Sequence, residues 1–488
     1  MEIPHIRSGL RIASLFTFYF LLFTFYLKNN TPSHKKFAMK HSHPMKNTET
    51  SRRDFLKKAA FATAGAMVLP AILPSCSKGA NDRIHIAHLG TGGRGTSVAR
   101  NYFLPIPGAR SLATCDAYSS RRENLAVEIS AYYKEQYNEE INCIPYADYE
   151  EILERRDIDA VHITTPDHWH LPMAIKAARA GKHIYLDKPL GLSLDNMIAL
   201  EKLMKREGLV FHYGTQQRSL EHMIKGIDMV RSGKIGDIYK IEIWAPPGGA
   251  VEPEGSVISA GPPDDLDYDR WLGPAPVKPY SEARVASTGA YHIYDYAIGF
   301  IAGWGAHPLD IAIWGAKEHM SDTGTFTGSG VLFPEDMLFD TINYWDIEIA
   351  YNNGLQVHFV STNHAAQMME KLPDGNGTTF YGTKGWISLG RGAAAASIPE
   401  LHEELNVRVY GENNMHGFNF IKAIRGETEE ISPLDDAILS DCISHMGNIL
   451  IRSGKEKITW DPVRREITDY PELTGVHFHR KPRAPYTV

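Results

Sequence analysis

Lys188 stands between Asp187 and Pro189, directly after the apolar run His183-Ile184-Tyr185-Leu186. An amine beside a carboxylate can hold or relay a proton, and the proline restricts the backbone around it. Open α/β sheets collect ligands at the carboxyl ends of their strands. The triplet therefore reads either as a proton-handling lysine at a cofactor edge or as a surface Lys-Pro turn. Upstream, Gly90, Gly92 and Gly95 spell G-x-G-x-x-G, with Gly93 and Arg94 inside the turn. The first glycine permits the turn, the second lets backbone approach a pyrophosphate, and the third lets helix and strand pack closely, with phosphate at the helix N-terminus. Asp116 follows at about the distance expected of a carboxylate that binds a ribose 2′-hydroxyl. It favours NAD, because it repels a 2′-phosphate; Arg121 and Arg122 close by leave NADP open. His162, His168 and His170 cluster near another strand end. No carboxylate or cysteine completes a metal set around them, so no metal is expected.

These residues need elements to carry them. Ile84–Leu89, Ala109–Cys115, Ala160–Thr165, His183–Leu186 and Leu209–Tyr213 read as strands. Thr96–Tyr102, Met173–Ala180 and Asn196–Glu207 read as helices, the last stopped by Gly208. Such alternation predicts a parallel, doubly wound sheet, an α/β Rossmann domain over 81–213. Beyond Gly214 the texture changes. Ile238–Trp244, Thr341–Tyr351, Leu355–Ser361, Thr378–Tyr381 and Trp386–Leu389 are strand-like with turns between them. They predict an α+β domain over 214–488 with a mostly antiparallel open sheet. Gly248–Pro279, rich in Pro, Gly and Asp, reads as a surface excursion, and Pro433–Arg452 as a helix packing back on the first domain.

Several stretches occur in one order: Thr165-Pro166-Asp167-His168-Trp169-His170, Asp187-Lys188-Pro189, Gly214-Thr215-Gln216-Gln217-Arg218, Ser232-Gly233-Lys234-Ile235-Gly236 and Tyr381-Gly382-Thr383-Lys384-Gly385-Trp386. From Arg83 onward the chain resembles the Gfo/Idh/MocA family of sugar oxidoreductases. The resemblance implies that Lys188 is catalytic. It implies cofactor contacts at Gly90, Gly92, Gly93, Arg94, Gly95 and Asp116, and at Thr165, Pro166, His170, Asp187, Lys188 and Gln216. It also implies substrate contact near Arg218. Gly303-Trp304-Gly305-Ala306-His307-Pro308-Leu309-Asp310 is similar to the family's D-x-x-x-H-x-x-D helix, with His307 and Asp310 matched and Gly303 where the first acid stands. His307 becomes the second catalytic candidate, since an imidazole of ordinary pKa titrates near neutrality and suits proton transfer from a hydroxyl. Asp310 and Trp304 are carried as substrate contacts, Trp304 as the stacking surface for a sugar ring. Tyr291, His292, Tyr294 and Asp295 are candidates to replace the missing acid. Family members form dimers or tetramers, so a homo-oligomer is expected.

The chain has 488 residues, a net charge of −7 and no long basic block in its body, which argues against nucleic acid as partner. Its four cysteines show neither CxxC nor metal spacing. The first 80 residues read as a leader. Ser51-Arg52-Arg53-Asp54-Phe55-Leu56-Lys57, with the apolar Ala59–Leu73 behind it, is a twin-arginine export signal; Leu73-Pro74-Ser75-Cys76 resembles a lipobox, with Cys76 as the lipidated residue or an incidental cysteine at an ordinary cleavage site. The sixteen apolar residues Ile12–Leu27 fall short of the roughly 20 of a spanning helix; they are upstream sequence ahead of a start at Met45 or Met39, or an anchor. The twin-arginine machinery carries folded proteins, so a cofactor can be loaded before export to the periplasm, free there or lipid-anchored. The reading that joins these features is an exported carbohydrate dehydrogenase with tightly held NAD, a keto-sugar or keto-glycoside being the specific product form of that reading. Two alternatives remain: a glycoside hydrolase that oxidises its substrate transiently, and a non-catalytic sugar-binding protein. The Tyr-Pro-Thr-His-Gly stretch of the glycosidase branch is replaced here by Gly-Trp-Gly-Ala-His.

Overall fold

Six short strands build the first sheet: β1 (Ile84–Leu89), β2 (Ala109–Cys115), β3 (Ile144–Tyr146), β4 (Ala160–Ile163), β5 (His183–Leu186) and β6 (Phe211–Tyr213). They lie in the order β3-β2-β1-β4-β5-β6, all parallel. β4 is buried along its whole length and β1 at all but one residue, as strands covered on both faces must be. The helices that cover them include α1 (Gly93–Val98), α2 (Ser119–Tyr137), α3 (Asp167–Arg179) and α4 (Leu194–Glu207). Ser193 caps α4 by accepting from the Asn196 N–H, and Gly208 ends it in the left-handed region at φ 62°. The strand order reverses between β1 and β4, which opens a crevice at their carboxyl ends.

This is a computed structural model, and it describes residues 83–249, 261–286, 289–406, 415–477 and 480–487. Arg52, Arg53 and Cys76 lie outside the described residues, as does the rest of the leader. Among the described residues no helix is long and apolar enough to cross a membrane.

After α5 (Glu221–Arg231) comes the second sheet: β7 (Ile238–Ala245), β8 (Gly324–Leu332), β9 (Ile342–Tyr351), β10 (Gln356–Ser361), β11 (Gly377–Gly382), β12 (Gly385–Gly390), β13 (Ala394–Ala396), β14 (Lys457–Asp461) and β15 (Glu466–Ile467). Their order is β13-β12-β11-β7-β10-β9-β8-β14-β15; only the central β7–β10 pair is parallel. α6 (Ala306–Met320) and α8 (Leu434–Ser453) pack on one face of this sheet. α8 also meets the loop after β5: Leu190 and Gly191 donate their N–H groups to Asp441, and His445 Nε2 joins Gly191 O at 2.9 Å. α7 (Met415–Ile424) inserts Phe420 and Ile421 into a core shared with Ile84, Ile86 and Phe103 of the first sheet's layer.

Some elements depart from the sequence expectations. α3 begins at Asp167 rather than Met173; Pro172, lacking an N–H, disguises its first turns. α2 is nineteen residues long but buries only Leu125, Ala126, Ile129 and Tyr133, too thin an apolar stripe to read. β8 holds Gly324, Gly328 and Gly330, poor strand formers, yet pairs along its whole length with β9. The expected surface excursion is in its described part a strap over the first domain, with Trp271 and Leu272 buried.

Candidate active site

The crevice at the carboxyl ends of β1, β2 and β4 is a cleft of about 740 Å³, lined by Gly90, Gly92, Gly93, Arg94, Gly95, Asp116, Thr165 and Pro166 among others. Gly90 has φ +89°, and a Cβ on it would stand 2.5 Å from Thr164 O; one on Gly95 would stand 2.0 Å from Gly90 O. These two glycines let the turn, β4 and α1 close on one another, while the space above Gly93 is open. α1 leaves its first N–H groups at this turn, as a helix start does, where they suit a pyrophosphate. Asp116 ends β2 with its carboxylate fixed by the N–H groups of Thr91 (2.7 Å) and Tyr118 (2.9 Å). At the other end of the cleft, Thr165 Oγ1 and Asp167 Oδ2 are buried with no partner. Unpaired buried polar atoms of this kind are costly, and a carboxamide would satisfy both. Volume, helix start, ribose acid and orphaned polar atoms together fit a nicotinamide dinucleotide.

Deeper in, Asp187 accepts from Arg94 Nε (2.8 Å) and from Gln216 Nε2 (3.0 Å), and Arg94 Nη2 also donates to Gln216 Oε1 (2.6 Å). Burial opposes ionisation of Asp187, but Arg94 overrides it and holds the carboxyl well below its usual range. Gln216 gives its second amide proton to Tyr185 (2.8 Å). It braces Arg94 and Asp187 beside the cleft. His170 is likewise buried, its two ring nitrogens joined to Pro189 O (2.7 Å) and Thr165 O (2.8 Å). Burial keeps the ring neutral, so it donates to one of these two carbonyls, and it ties the Lys188 turn to the start of α3.

Lys188 Nζ donates to Gly303 O at 2.6 Å, across from the first sheet to the segment that leads into α6. His307 lies one turn further on, its N–H donating to Trp304 O. The two catalytic candidates are thus brought to one place. Burial pushes the Lys188 amine down, with Arg94 and Arg391 adding to the effect and Asp187 and Asp167 opposing it. Burial also pushes His307 far down, helped by Lys188, Arg391 and Arg94. The expected near-neutral titration of His307 does not hold: the imidazole is neutral, and its Nδ1 is buried without a partner.

Gly303 has a physical counterpart in Tyr291. A Cβ at position 303 would stand 3.1 Å from the Tyr291 ring, and Lys188 Nζ lies 5.1 Å from that ring's centre. Tyr291 fills the room an acid would need, and burial raises its hydroxyl's pKa, so it remains a donor. Asp167 also belongs here: burial is the chief force on it, Lys188 opposing and Asp441 adding, and its carboxyl is pushed up to about 8.

Arg218 and Asp310, expected at the substrate, are instead committed to each other. Arg218 is 1% exposed; its Nε and Nη2 bind Asp310, and its Nη1 binds Asp436 (2.8 Å) and Ile431 O. Asp310 also accepts from Thr215. Every charged atom is used, so the triad locks α6 and α8 to the start of the second domain. Trp304 is half-buried beside His307 with ring centres 5.8 Å apart, but one indole face already carries Arg391. The three clustered histidines diverge: His162 joins His88 and Thr164, and His168 joins Trp271 O.

Sequence reasoning missed the cover of the cleft. The strap residue Trp271 accepts from the Trp169 indole N–H through its carbonyl, Arg270 pairs with Asp148 (2.9 Å), and Ser119 N–H donates to Asp265 O (2.8 Å). Near the end of the chain, Tyr486 lies edge-on to Trp169 at 5.3 Å and donates to Asp269, which Arg483 also binds (2.6 Å). Trp271, Pro485 and Tyr486 all line the cleft. The aromatic residues were the readable signal; their position over the cleft was not.

Two family profiles match the chain: the oxidoreductase family's NAD-binding Rossmann fold over residues 84–215, and its C-terminal alpha/beta domain over 254–488. Among curated relatives, a scyllo-inositol 2-dehydrogenase (NAD(+)) of Bacillus subtilis is 32% identical over 195 residues, 39% of this chain and 54% of that protein. A glycosyl hydrolase family 109 protein of Solibacter usitatus is 27% identical over 201 residues, 39% of this chain and 44% of that protein. The chain spans about half the length of these relatives. Among solved structures, scyllo-inositol dehydrogenase of Lactobacillus casei, with bound NAD(H) and scyllo-inositol, superposes with a TM-score of 0.53 at 15% identity, covering 78% of this chain and 99% of that one. With its cofactor cleft, its Lys188 turn and both family domains in place, the chain belongs to the Gfo/Idh/MocA family of NAD-binding oxidoreductases.

Proposed function

We propose that this protein oxidises a hydroxyl group of a sugar or glycoside, that it works in the periplasm after export through the twin-arginine route, and that it keeps its NAD between turnovers, a second, carbonyl-bearing sugar taking the hydride back from the reduced cofactor. The observation that carries the reading is the meeting of Lys188 with the Gly303–His307 segment, through the 2.6 Å bond from Nζ to Gly303 O. The strap and the Tyr486 contacts over the cleft support retention of the dinucleotide. The leader's Arg52-Arg53 pair supports export.

The glycine turn and Asp116 would hold the pyrophosphate and ribose, and Thr165 with Asp167 the carboxamide. Bound NAD supplies an acceptor for the hydride of the carbinol carbon. The protein's own part is proton handling and placement. Neutral His307 accepts the hydroxyl proton. Lys188, fixed by Gly303 O, sets a positive charge beside the oxygen as it becomes a carbonyl. Burial weakens its hold on the proton, which eases proton exchange with the substrate oxygen. Asp167 and the Tyr291 hydroxyl stand behind it as donors.

Native mass spectrometry, followed by a sugar panel read by nicotinamide absorbance, tests this. A co-purifying dinucleotide that changes redox state with a sugar is expected, with Lys188→Ala lowering kcat roughly 10²- to 10⁴-fold. Protein that arrives empty and refuses both NAD and NADP would overturn it. The relatives named as family 109 glycosyl hydrolases favour a second reading. There the substrate carbon is oxidised, the acidified neighbouring hydrogen leaves as a proton, the aglycone is eliminated, water adds and the hydride returns. Release of aryl alcohol from an aryl glycoside with no net change in cofactor would select that reading.

A further inference from the structure

Arg391 takes no part in the scheme above. It sits on the turn between β12 and β13, which is pinned at three points. Gly390 N–H donates to Ala393 O (2.9 Å), Gly392 N–H donates to Asp374 Oδ2 (2.7 Å), and His222 Nε2 joins Gly390 O (2.9 Å). The turn is rigid, yet the side chain on it is unspent. The guanidinium lies 5.1 Å over the Trp304 indole and is exposed, and no hydrogen bond or ion pair joins it to another described residue. Asp374, the acid nearest in effect, is committed to the Gly392 N–H.

The placement matters because Trp304 is the neighbour of both reacting groups. It lies edge-on to His307, and it follows Gly303, whose carbonyl binds Lys188. Arg94 in the same region is matched by Asp187; Arg391 has no such match. A rigidly presented, unpaired guanidinium on an aromatic ring is the arrangement that recognises planar anions through two parallel N–H···O bonds. Being already held, it loses little freedom on binding.

We propose that the substrate is an anionic sugar, bound through its carboxylate or sulfate by Arg391 while the hydroxyl to be oxidised faces His307 and Lys188. This deepens the oxidoreductase reading above and rests on it for the chemistry, though not for the binding. A second consequence follows. The Arg391 charge is one of the causes that weaken His307 as a base. An anion on Arg391 offsets that charge, so a charged substrate gains in kcat as well as in KM.

The test uses the natively purified, dinucleotide-loaded protein and three matched probes: methyl glucuronide, methyl glucoside and methyl glucoside 6-sulfate. The expected result is a kcat/KM higher by roughly 10- to 100-fold for a charged probe than for the neutral one, as for a charge-assisted pair. The glucuronide and sulfate arms tell the two anions apart. Arg391→Gln should erase the preference, and Arg391→Lys should restore only part of it. Binding is followed separately by the tryptophan-fluorescence change that Trp304→Phe abolishes, which needs no turnover. Glucuronide or sulfate binding that weakens tenfold or more in Arg391→Gln, with no probe oxidised, would sink the oxidoreductase reading and keep this one. Equal turnover and binding of charged and neutral probes, or a preference that survives in Arg391→Gln, overturns it.

Discussion

Replacing Asp167 by asparagine tests the buried acid beside Lys188 without altering its shape. Burial raises this carboxyl from its ordinary 3.8 to about 8. Between about pH 4 and pH 8 the unfolded chain has released the proton and the folded chain has not. Folding is therefore linked to proton uptake, and stability falls as pH rises; the contribution is full below the unfolded pKa and lost above the folded one. A shift of about four units at ~1.4 kcal/mol each sets an upper bound of ~6 kcal/mol. Lys188 shares the proton equilibrium, so about half, ~3 kcal/mol, is the expected loss in the wild type between pH 4 and pH 8. For a folded body of roughly 400 residues that is about 3–4 °C in Tm. The amide of Asp167→Asn does not titrate, so the variant should gain that much on the wild type as pH is raised. Thermal unfolding at pH 4, 6 and 8, at one dinucleotide concentration, measures it. Identical pH slopes in the two proteins would refute the claim that Asp167 is protonated in the fold.

Gly303→Asp, which restores the family's acid, should lower stability by about 1–3 kcal/mol and leave kcat no higher, because Tyr291 occupies the space; a rise in kcat, measured with Tm, contradicts the packing argument. Arg218→Met takes the cation from buried Asp310 and leaves Asp436 only Lys317, and should cost about 3–5 kcal/mol in urea unfolding. A variant of wild-type stability with only KM changed would restore Arg218 to the substrate. Tyr486→Ala removes the contact with Trp169 and the bond to Asp269, and should speed dinucleotide loss roughly 5- to 10-fold; an unchanged dissociation rate, followed by fluorescence after dilution, would show that the terminal segment does not hold the cofactor.

The first sheet was legible because each of its central strands is a short apolar run that ends in chemistry: Leu89 before the glycine turn, Cys115 before Asp116, Leu186 before Asp187. Burial on both faces writes itself into sequence as hydrophobicity. The second sheet was legible where one face is buried, as in β9, whose residues alternate from Ile347 to Tyr351. It was illegible at β8, where glycines are tolerated because neighbouring strands supply the pairing. The strap failed as a reading for a related reason: a Pro- and Gly-rich segment shows where the chain bends but not what it covers.

Sequence alone determined the cofactor turn, the lysine and histidine that meet, and the absence of an acid at Gly303, since each is a matter of residue type and local order. Tertiary structure decided which polar side chains are free. Arg218 and Asp310 looked like ligand-binding groups and are consumed by partners brought from distant segments. Arg391, which no motif singles out, has no hydrogen-bond or ion-pair partner among the described residues beside the site. Whether a charge is spent or available depends on what the fold packs against it, and such contacts between distant segments leave no mark in local sequence order.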